Sequence, residues 1–111
     1  MSVPLPSAVF HILMALGGGD RHGYAIIQDV AAMSDGQLRL GAATLYRSLQ
    51  RMLEQGLIVE TEDRPAAEFD DQRRRYYRIT PLGESIARAE ANRLAALVKL
   101  AHRSGFATGQ A

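Results

Sequence analysis

Residues 41–56 read GAATLYRSLQRMLEQG, and residues 73–83 read RRRYYRITPLG. In the first stretch the apolar residues Leu45, Leu49 and Met52 recur at helical spacing, which predicts an amphipathic helix whose opposite face is polar and basic. The second stretch has the composition of a short, arginine-rich strand. A winged helix-turn-helix needs little more than a helix that enters the major groove and a basic hairpin that meets the phosphates. The two stretches therefore predict a DNA-binding fold.

The composition is consistent with one small ordered domain. At 111 residues, the chain is small enough to gain stability from a partner subunit, and its 47% hydrophobic content is typical of globular proteins. It contains no cysteine, which excludes disulfides and thiolate metal sites. The start of the chain lacks the positive region of a signal peptide, and the apolar run from Ala8 to Leu16 is too short to span a bilayer. We therefore expect a soluble cytoplasmic protein.

The charge is unevenly distributed along the chain. The net charge is only +1, from 13 basic and 12 acidic residues, so a uniformly basic DNA-binding surface is not expected. Six of the acids lie between Glu60 and Asp71, however, whereas residues 43–53 hold two arginines and no acid. Residues 72–82 hold four arginines and no acid. Positive charge is thus concentrated on the predicted helix and strand.

Three helices are predicted before the hairpin. A helix that is apolar nearly all round starts near Ser7 and stops at the glycines 17–19. Asp20 is expected to cap a second helix over about residues 21–33. Residues 38–40 alternate as in a very short strand, immediately before the amphipathic helix.

The hairpin and a fourth helix complete the prediction. Strands are expected over residues 57–62 and 74–79, with Tyr77 on the core face. Thr80 is placed to cap a helix whose first residue is proline and which runs to about Arg103. The predicted fold class is therefore α+β, mainly α: a winged helix-turn-helix of three helices and a β-hairpin wing, followed by a C-terminal dimerisation helix.

The role of the last helix follows from an apolar stripe that has no evident partner in so small a chain. Leu94, Leu97 and Val98 recur at helical spacing, and such a stripe suggests a second subunit. The nearly apolar first helix is its expected partner surface. The predicted interface residues are Val9, Leu13, Ile86, Leu94, Leu97, Val98 and Ala101. The predicted organisation is a DNA-binding domain over residues 1–80, the dimerisation helix over 81–103 and a flexible tail over 104–111.

This order of elements resembles the PadR family of transcriptional regulators, in particular its short members with a single C-terminal helix. HGYAI at 22–26 resembles the opening of that family's second helix. TLYRSL at 44–49 and LEQGLI at 53–58 resemble its recognition helix and exit, and residues 73–83 resemble its wing strand and the entry to the last helix. The resemblance implies a homodimeric repressor that binds a palindromic operator, often near its own gene, and releases it when a small hydrophobic or aromatic effector binds.

The sequence departs from the family pattern at two places. Family members often enter the recognition helix with Ser-Pro-Gly, whereas this chain has Gly41-Ala42-Ala43, which predicts a weaker cap and the loss of a serine contact to phosphate. The acids at 68–71 imply that only the basic end of the wing meets DNA. The residues predicted to contact DNA are Tyr24, Thr44, Tyr46, Arg47, Ser48, Arg51, Arg73, Arg74, Arg75 and Arg78.

Several of these residues have a second interpretation. Tyr46 is as consistent with partial burial as with a phosphate contact. Tyr24 could face either the DNA backbone or the groove between subunits, and the glycine before it is explained equally well by close packing at the helix start. Arg47 and Arg51 would form an ordinary solvated face in an isolated helix, but the basic strand that follows favours DNA. The strand arginines could serve only to protect an exposed sheet edge. None of them has an acid at helical spacing, however, and phosphate contact is the favoured interpretation.

Other classes of function have weak support in the sequence. His11, His22 and His102 lack ligand spacing, so no metal or other cofactor is predicted. No nucleophile-elbow or paired-carboxylate pattern is visible, so an enzyme is not expected. The alternative function is a winged-helix protein-interaction module whose arginines meet an acidic protein surface. Steep salt dependence and sequence preference would distinguish DNA binding from that module.

Overall fold

The computed structural model describes residues 4–61 and 75–108. Its helices and strands follow one another in the order α1 (Ser7–Gly17), β1 (Arg21–His22), α2 (Gly23–Met33), α3 (Ala42–Glu54), β2 (Ile58–Thr61), β3 (Tyr76–Ile79) and α4 (Pro81–Arg103). The predicted fold class is confirmed, because three helices, a small antiparallel sheet and a long final helix occur in the expected order. The acidic wing tip predicted at residues 68–71 lies outside the described residues.

The sheet contains a strand that the sequence did not reveal. Its order is β1-β3-β2, with Arg21 opposite Tyr77 and Ile58 opposite Ile79. The prediction that a helix starts near residue 21 is wrong, because Arg21 and His22 pair with the wing strand instead. The short strand expected at 38–40 is also absent. Leu40 is buried there without belonging to a strand.

The helix caps explain where α2 and α4 begin. The ring Nδ1 of His22 accepts a hydrogen bond from the Ala25 backbone N–H at 3.2 Å, so His22 and not Asp20 caps α2. Thr80 caps α4 as predicted, because its hydroxyl oxygen accepts from the Gly83 N–H at 3.0 Å. Helix α3 has Gly41 at its cap position and no side-chain cap, which confirms the weak cap expected there.

One hydrophobic core lies between the helices and the sheet. The predicted core face of α3 is confirmed, since Leu45, Leu49 and Met52 are at most 1% exposed. Tyr77 is buried from the sheet side, also as predicted. Strand alternation predicts that Tyr76 lies on the face opposite Tyr77, yet it is buried as well, because the ring of His22 packs edge-on against it with centroids 5.3 Å apart. Each fully buried large apolar side chain stabilises the fold by about 1.5–3 kcal/mol.

The first turn of α4 packs closely against Leu57 and Ile79 at Gly83. A Cβ atom at this position would collide with the Leu57 carbonyl oxygen and lie 2.8 Å from Cγ1 of Ile79. Only glycine lets the first turn of α4 lie this close to the chain that leaves α3. This contact fixes the direction in which α4 leaves the sheet.

The two halves of α4 have different surroundings. In the first half, Ile86 and Ala87 pack against the core, and the buried Glu90 carboxylate is bound by Arg93 at 2.9 and 2.7 Å. In the second half, Leu97 is half exposed. The first half therefore belongs to the core, while the second half projects from it.

The last described residues form an ordered helix end. Gly105 has φ +81°, and the Phe106 N–H donates to the Ala101 carbonyl at 2.9 Å, which is the bonding of a Schellman cap. The first part of the predicted tail from residue 104 is therefore a structured cap. None of the helices in the described part of the chain is both long enough and apolar enough to cross a membrane.

Candidate nucleic-acid interface

The outermost face of α3 is set by the position of its buried side. Successive residues are about 100° apart around a helix, so Arg47 lies nearly opposite the buried positions, together with Ala43 and Gln50. All three side chains are exposed, and the exposed Arg51 lies beside them. Ala43 and Gln50 were not among the predicted contacts, because residue type drew attention to arginines and hydroxyls. The angular position around the helix was the signal that could have identified them.

The two arginines of α3 differ from other arginines of the chain in their surroundings. Within residues 4–61 and 75–108, neither Arg47 nor Arg51 forms an ion pair. Glu54, the acid that could have neutralised them, instead accepts a hydrogen bond from Gln50 at 3.3 Å. Within the described part of the chain, the face therefore presents two guanidinium groups, one helical turn apart, that no acid neutralises.

Two of the predicted contacts, Thr44 and Ser48, lie on the flank of α3 that faces α1. There they line a pocket of about 380 Å³ together with residues of the N-terminal segment, including Val9. Their position is compatible with contact to a DNA backbone that passes beside the helix, but they are not on its outermost face. The structure thus divides the predicted polar face of α3 into a central part and a flank.

Tyr46 is partly buried, and its contact with phosphate stays a prediction. Its side chain is 51% exposed, yet a Cβ atom at Gly23 would lie 2.9 Å from Cζ of the Tyr46 ring and collide with its hydroxyl. The start of α2 therefore packs closely against the end of the Tyr46 side chain, which would have to move to make room for a residue larger than glycine at position 23. The next residue, Tyr24, is 61% exposed and remains a candidate contact.

The arginines near the wing strand are paired, unlike those of α3. Arg78 donates to both carboxylate oxygens of Asp20 at 3.1 and 2.8 Å, and Arg75 lies 3.3 Å from Glu60. Helical spacing could not reveal these pairs, because the acids come from the neighbouring strand β2 and from the residue before β1. Arg73 and Arg74 lie outside the described residues.

The buried Tyr77 of β3 adds no charge to this surface. Burial, and then the charge of Glu60, raise the pKa of Tyr77 above its ordinary value. The phenol therefore stays neutral at physiological pH and contributes no charge to this surface. Among the described residues there is no group of His, Asp and Glu side chains that could hold a metal ion.

The predicted dimer interface needs one correction. Leu13 is 1% exposed in the core of its own chain, so it offers no surface to a second subunit, whereas the neighbouring Met14 is 52% exposed. Val9 and Ile86 are partly buried against the same core. The side chains of the predicted stripe in the second half of α4 remain accessible: Leu97 and Val98 are about half exposed, and Leu94 and Ala101 are partly exposed.

Comparisons with known proteins give a consistent result. An uncharacterised protein from Lysinibacillus sphaericus is 36% identical over 66 residues, which are 60% of this chain and 58% of that protein. A transcriptional regulator from Clostridium thermocellum superposes with a TM-score of 0.71 at 26% identity, covering 86% of this chain and 87% of the other. A PadR family transcription regulator from Clostridium difficile superposes with a TM-score of 0.72 at 22% identity, covering 88% and 97%; it shows likeness of fold alone.

The family assignment rests on the sequence itself. The profile of the transcriptional regulator PadR-like family matches residues 12–89, which is well over half of the chain. That segment runs from the core of α1 through the sheet to the first half of α4. It includes the HGYAI, TLYRSL and LEQGLI motifs. The chain therefore belongs to the PadR-like family of transcriptional regulators, a family of regulators and not of enzymes.

Proposed function

We propose that this protein is a homodimeric repressor that binds a palindromic DNA operator through α3 and the wing. One observation carries the proposal: Arg47 and Arg51 project from a rigid helix without acidic partners in the described part of the chain. A helix of this width fits the major groove, where arginine recognises guanine through O6 and N7 and glutamine recognises adenine. Gln50, exposed on the same face, supplies the second type of contact.

Contacts around α3 would orient this helix on the duplex. Tyr24 is exposed at the start of α2 and can donate its hydroxyl to a phosphate. Arg75 is 69% exposed, and its contact to Glu60 is a single long one, so it can exchange that partner for a phosphate. Arg78, held by two bonds to Asp20, is better suited to orienting the sheet than to binding DNA.

Dimerisation through α4 would complete the operator-binding unit. Two helix-turn-helix units that read one face of a duplex must lie about 34–36 Å apart, which requires a rigid connection. The second half of α4 projects from the core with apolar side chains exposed, and Met14 adds exposed apolar surface on α1. These features support a two-fold symmetric pair, and hence a palindromic operator.

The proposal includes repression and release by a small effector. The family match supports a regulatory role, and a protein bound across an operator can block access to the DNA it covers. Release requires that the effector bind the free state better than the DNA-bound state. A pocket next to α3 would meet this requirement, since the bound effector and the DNA would both approach that helix.

The test is selection of DNA fragments from a random pool by the purified protein, followed by anisotropy titrations at several salt concentrations. We expect a palindromic consensus, tighter binding than to random DNA, and affinity that falls steeply with salt. A protein that enriches no sequence and ignores DNA at low salt would contradict the proposal. That result would favour the protein-interaction module instead.

A further inference from the structure

The outer face of α3 carries an acid at its C-terminal end. Glu54 follows Gln50 by four residues and Arg47 by seven, so it lies on the same face of the helix. All three side chains are exposed. A carboxylate repels the phosphates of DNA, so Glu54 cannot raise the affinity of this face by its charge. Any contribution of Glu54 to recognition has to act through a neighbouring side chain.

That neighbour is Gln50, whose amide is oriented by Glu54. The Gln50 Nε2 group donates a hydrogen bond to the Glu54 carboxylate at 3.3 Å. Because a carboxylate can only accept hydrogen bonds, the amide nitrogen of Gln50, and not the amide oxygen, must face Glu54. A glutamine without such a partner can turn its amide over and exchange the positions of its donor and acceptor. Glu54 therefore decides on which side the Gln50 donor lies.

The bond to Glu54 leaves Gln50 able to read a base. Glutamine recognises adenine through two hydrogen bonds, one donated to N7 and one accepted from the N6 amino group. The amide nitrogen carries two N–H groups, so one can bind Glu54 while the other and Oε1 meet the adenine. The Gln50 side chain has no other hydrogen-bond partner within residues 4–61 and 75–108.

Holding the amide in advance lowers the cost of recognition. A free glutamine side chain loses rotational freedom when it binds a base, and this loss opposes binding. A side chain that is already held by a neighbour loses less. Since both partners are exposed and one helical turn apart, their contact contributes little to the stability of the fold. Its effect should therefore be seen in base discrimination.

We infer that Glu54 is a positioning residue that orients Gln50 to read an adenine in each half of the operator. The inference rests on the proposed function, in which α3 enters the major groove. The spacing of the side chains locates the adenine. Arg47 and Gln50 are separated by about 4.5 Å along the helix axis, and base pairs are stacked about 3.4 Å apart. The adenine should thus lie within about two base pairs of the guanine read by Arg47.

Two variants of Glu54 isolate the hydrogen bond from the charge. Glu54→Gln and Glu54→Ala both remove one negative charge, so both should raise the affinity for any DNA by the same factor. Both should also fold, because Glu54 is exposed and an acid in the last turn of a helix opposes the helix dipole. Only the glutamine variant keeps a side-chain oxygen that can accept from Gln50.

The experiment replaces each base pair of the selected half-site in turn and measures binding by anisotropy. We expect the parent to prefer adenine by about tenfold or more at one position, and Gln50→Ala to abolish this preference. Glu54→Ala should reduce it by about threefold, whereas Glu54→Gln should retain most of it. Equal discrimination by the two Glu54 variants would overturn the positioning role.

The same variants are compared without DNA. NMR relaxation of the Gln50 side-chain amide should show a more ordered group in the parent and in Glu54→Gln than in Glu54→Ala. Equal mobility in all three proteins would also overturn the inference. An operator that is bound specifically, but with no base preference that depends on Gln50, would overturn the inference and leave the proposed function intact. A protein that selects no DNA would contradict both.

Discussion

The arginines of α3 and those of β3 and its entry look alike in the sequence but have different partners in the fold. Arg47 and Arg51 have no acidic partner in the described part of the chain, whereas Arg78 is bound by Asp20 and Arg75 contacts Glu60. The difference arises because β3 lies between β1 and β2. Glu60 belongs to β2 and Asp20 directly precedes β1, whereas the outer face of α3 is exposed to solvent. We therefore expect the positive charge of α3, unpaired among the described residues, to serve recognition and the paired charge near β3 to stabilise the wing.

The largest expected effect comes from separating the two copies of α3. Leu97→Glu would place a carboxylate in the proposed dimer interface. Burying this charge without a partner is unfavourable, so the variant should be monomeric. Loss of two-site binding should weaken operator affinity by about 10²–10⁴-fold. Ala96→Glu is the matched control, since this exposed position lies on the far side of α4. Light scattering and operator titration at equal concentration check both variants. A Leu97→Glu protein that stays folded and dimeric would mean that the dimer interface lies elsewhere.

Removing a recognition arginine should have the next largest effect. Arg51→Ala and Arg47→Ala should each cost about 1–3 kcal/mol on the selected operator and less on random DNA, because a bidentate contact to a base is lost. The control is the double variant Arg78→Ala with Asp20→Ala, which leaves the net charge unchanged and should bind both DNAs nearly as the parent does. Equal losses on both DNAs for the α3 variants would make these arginines phosphate contacts.

The sequence predicted α3 and α4 well because their signals are local. Apolar spacing identified the buried face of α3, and Thr80 with Pro81 identified the start of α4. It failed at β1, where Arg21 and His22 join the sheet only because β3, 55 residues later at Tyr76 and Tyr77, supplies their partners. The pairing of Arg78 with Asp20 and the burial of Leu13 were missed for the same reason, since both depend on contacts that are distant in sequence.

The contact between α2 and α3 should show a moderate effect on stability. Gly23→Ala adds a Cβ atom that the Tyr46 ring must turn aside to accommodate, so we expect a loss of about 0.5–1.5 kcal/mol in the free energy of unfolding. Gly17→Ala is the matched control at a position with open space, where alanine should be neutral or slightly stabilising. Urea unfolding of both variants measures this difference. Equal stability of the two would contradict the close approach.

The wing ion pairs should contribute less than 1 kcal/mol each. A double-mutant cycle for Arg78 and Asp20 should give a coupling near the upper end of about 0.2–1 kcal/mol, because two bonds form and Asp20 is partly buried. The same cycle for Arg75 and Glu60, which are more exposed, should give a coupling near zero. A larger coupling for the second pair would mean that Arg75 is not available to DNA.

A third ion pair, between Glu90 and Arg93, lies away from both arginine surfaces and titrates in acid. The hydrogen bonds from Arg93 hold the pKa of Glu90 below its ordinary value, so the pair stabilises the fold above about pH 4.3 and loses this contribution as the pH falls through the lowered pKa. Glu90→Gln should remove this part of the acid dependence of Tm. An unchanged acid profile would exclude Glu90 as its source.

The central claim is that α3, and not Arg78 of the wing, carries the free arginines that recognise DNA. NMR of the arginine side-chain Nε–H groups tests it directly, as selected operator DNA is added to the parent protein. We predict large shifts for Arg47 and Arg51, while the Arg78 signal, held by Asp20, changes little. Unchanged signals of Arg47 and Arg51 in a saturated complex, with a large shift of Arg78, would contradict the claim.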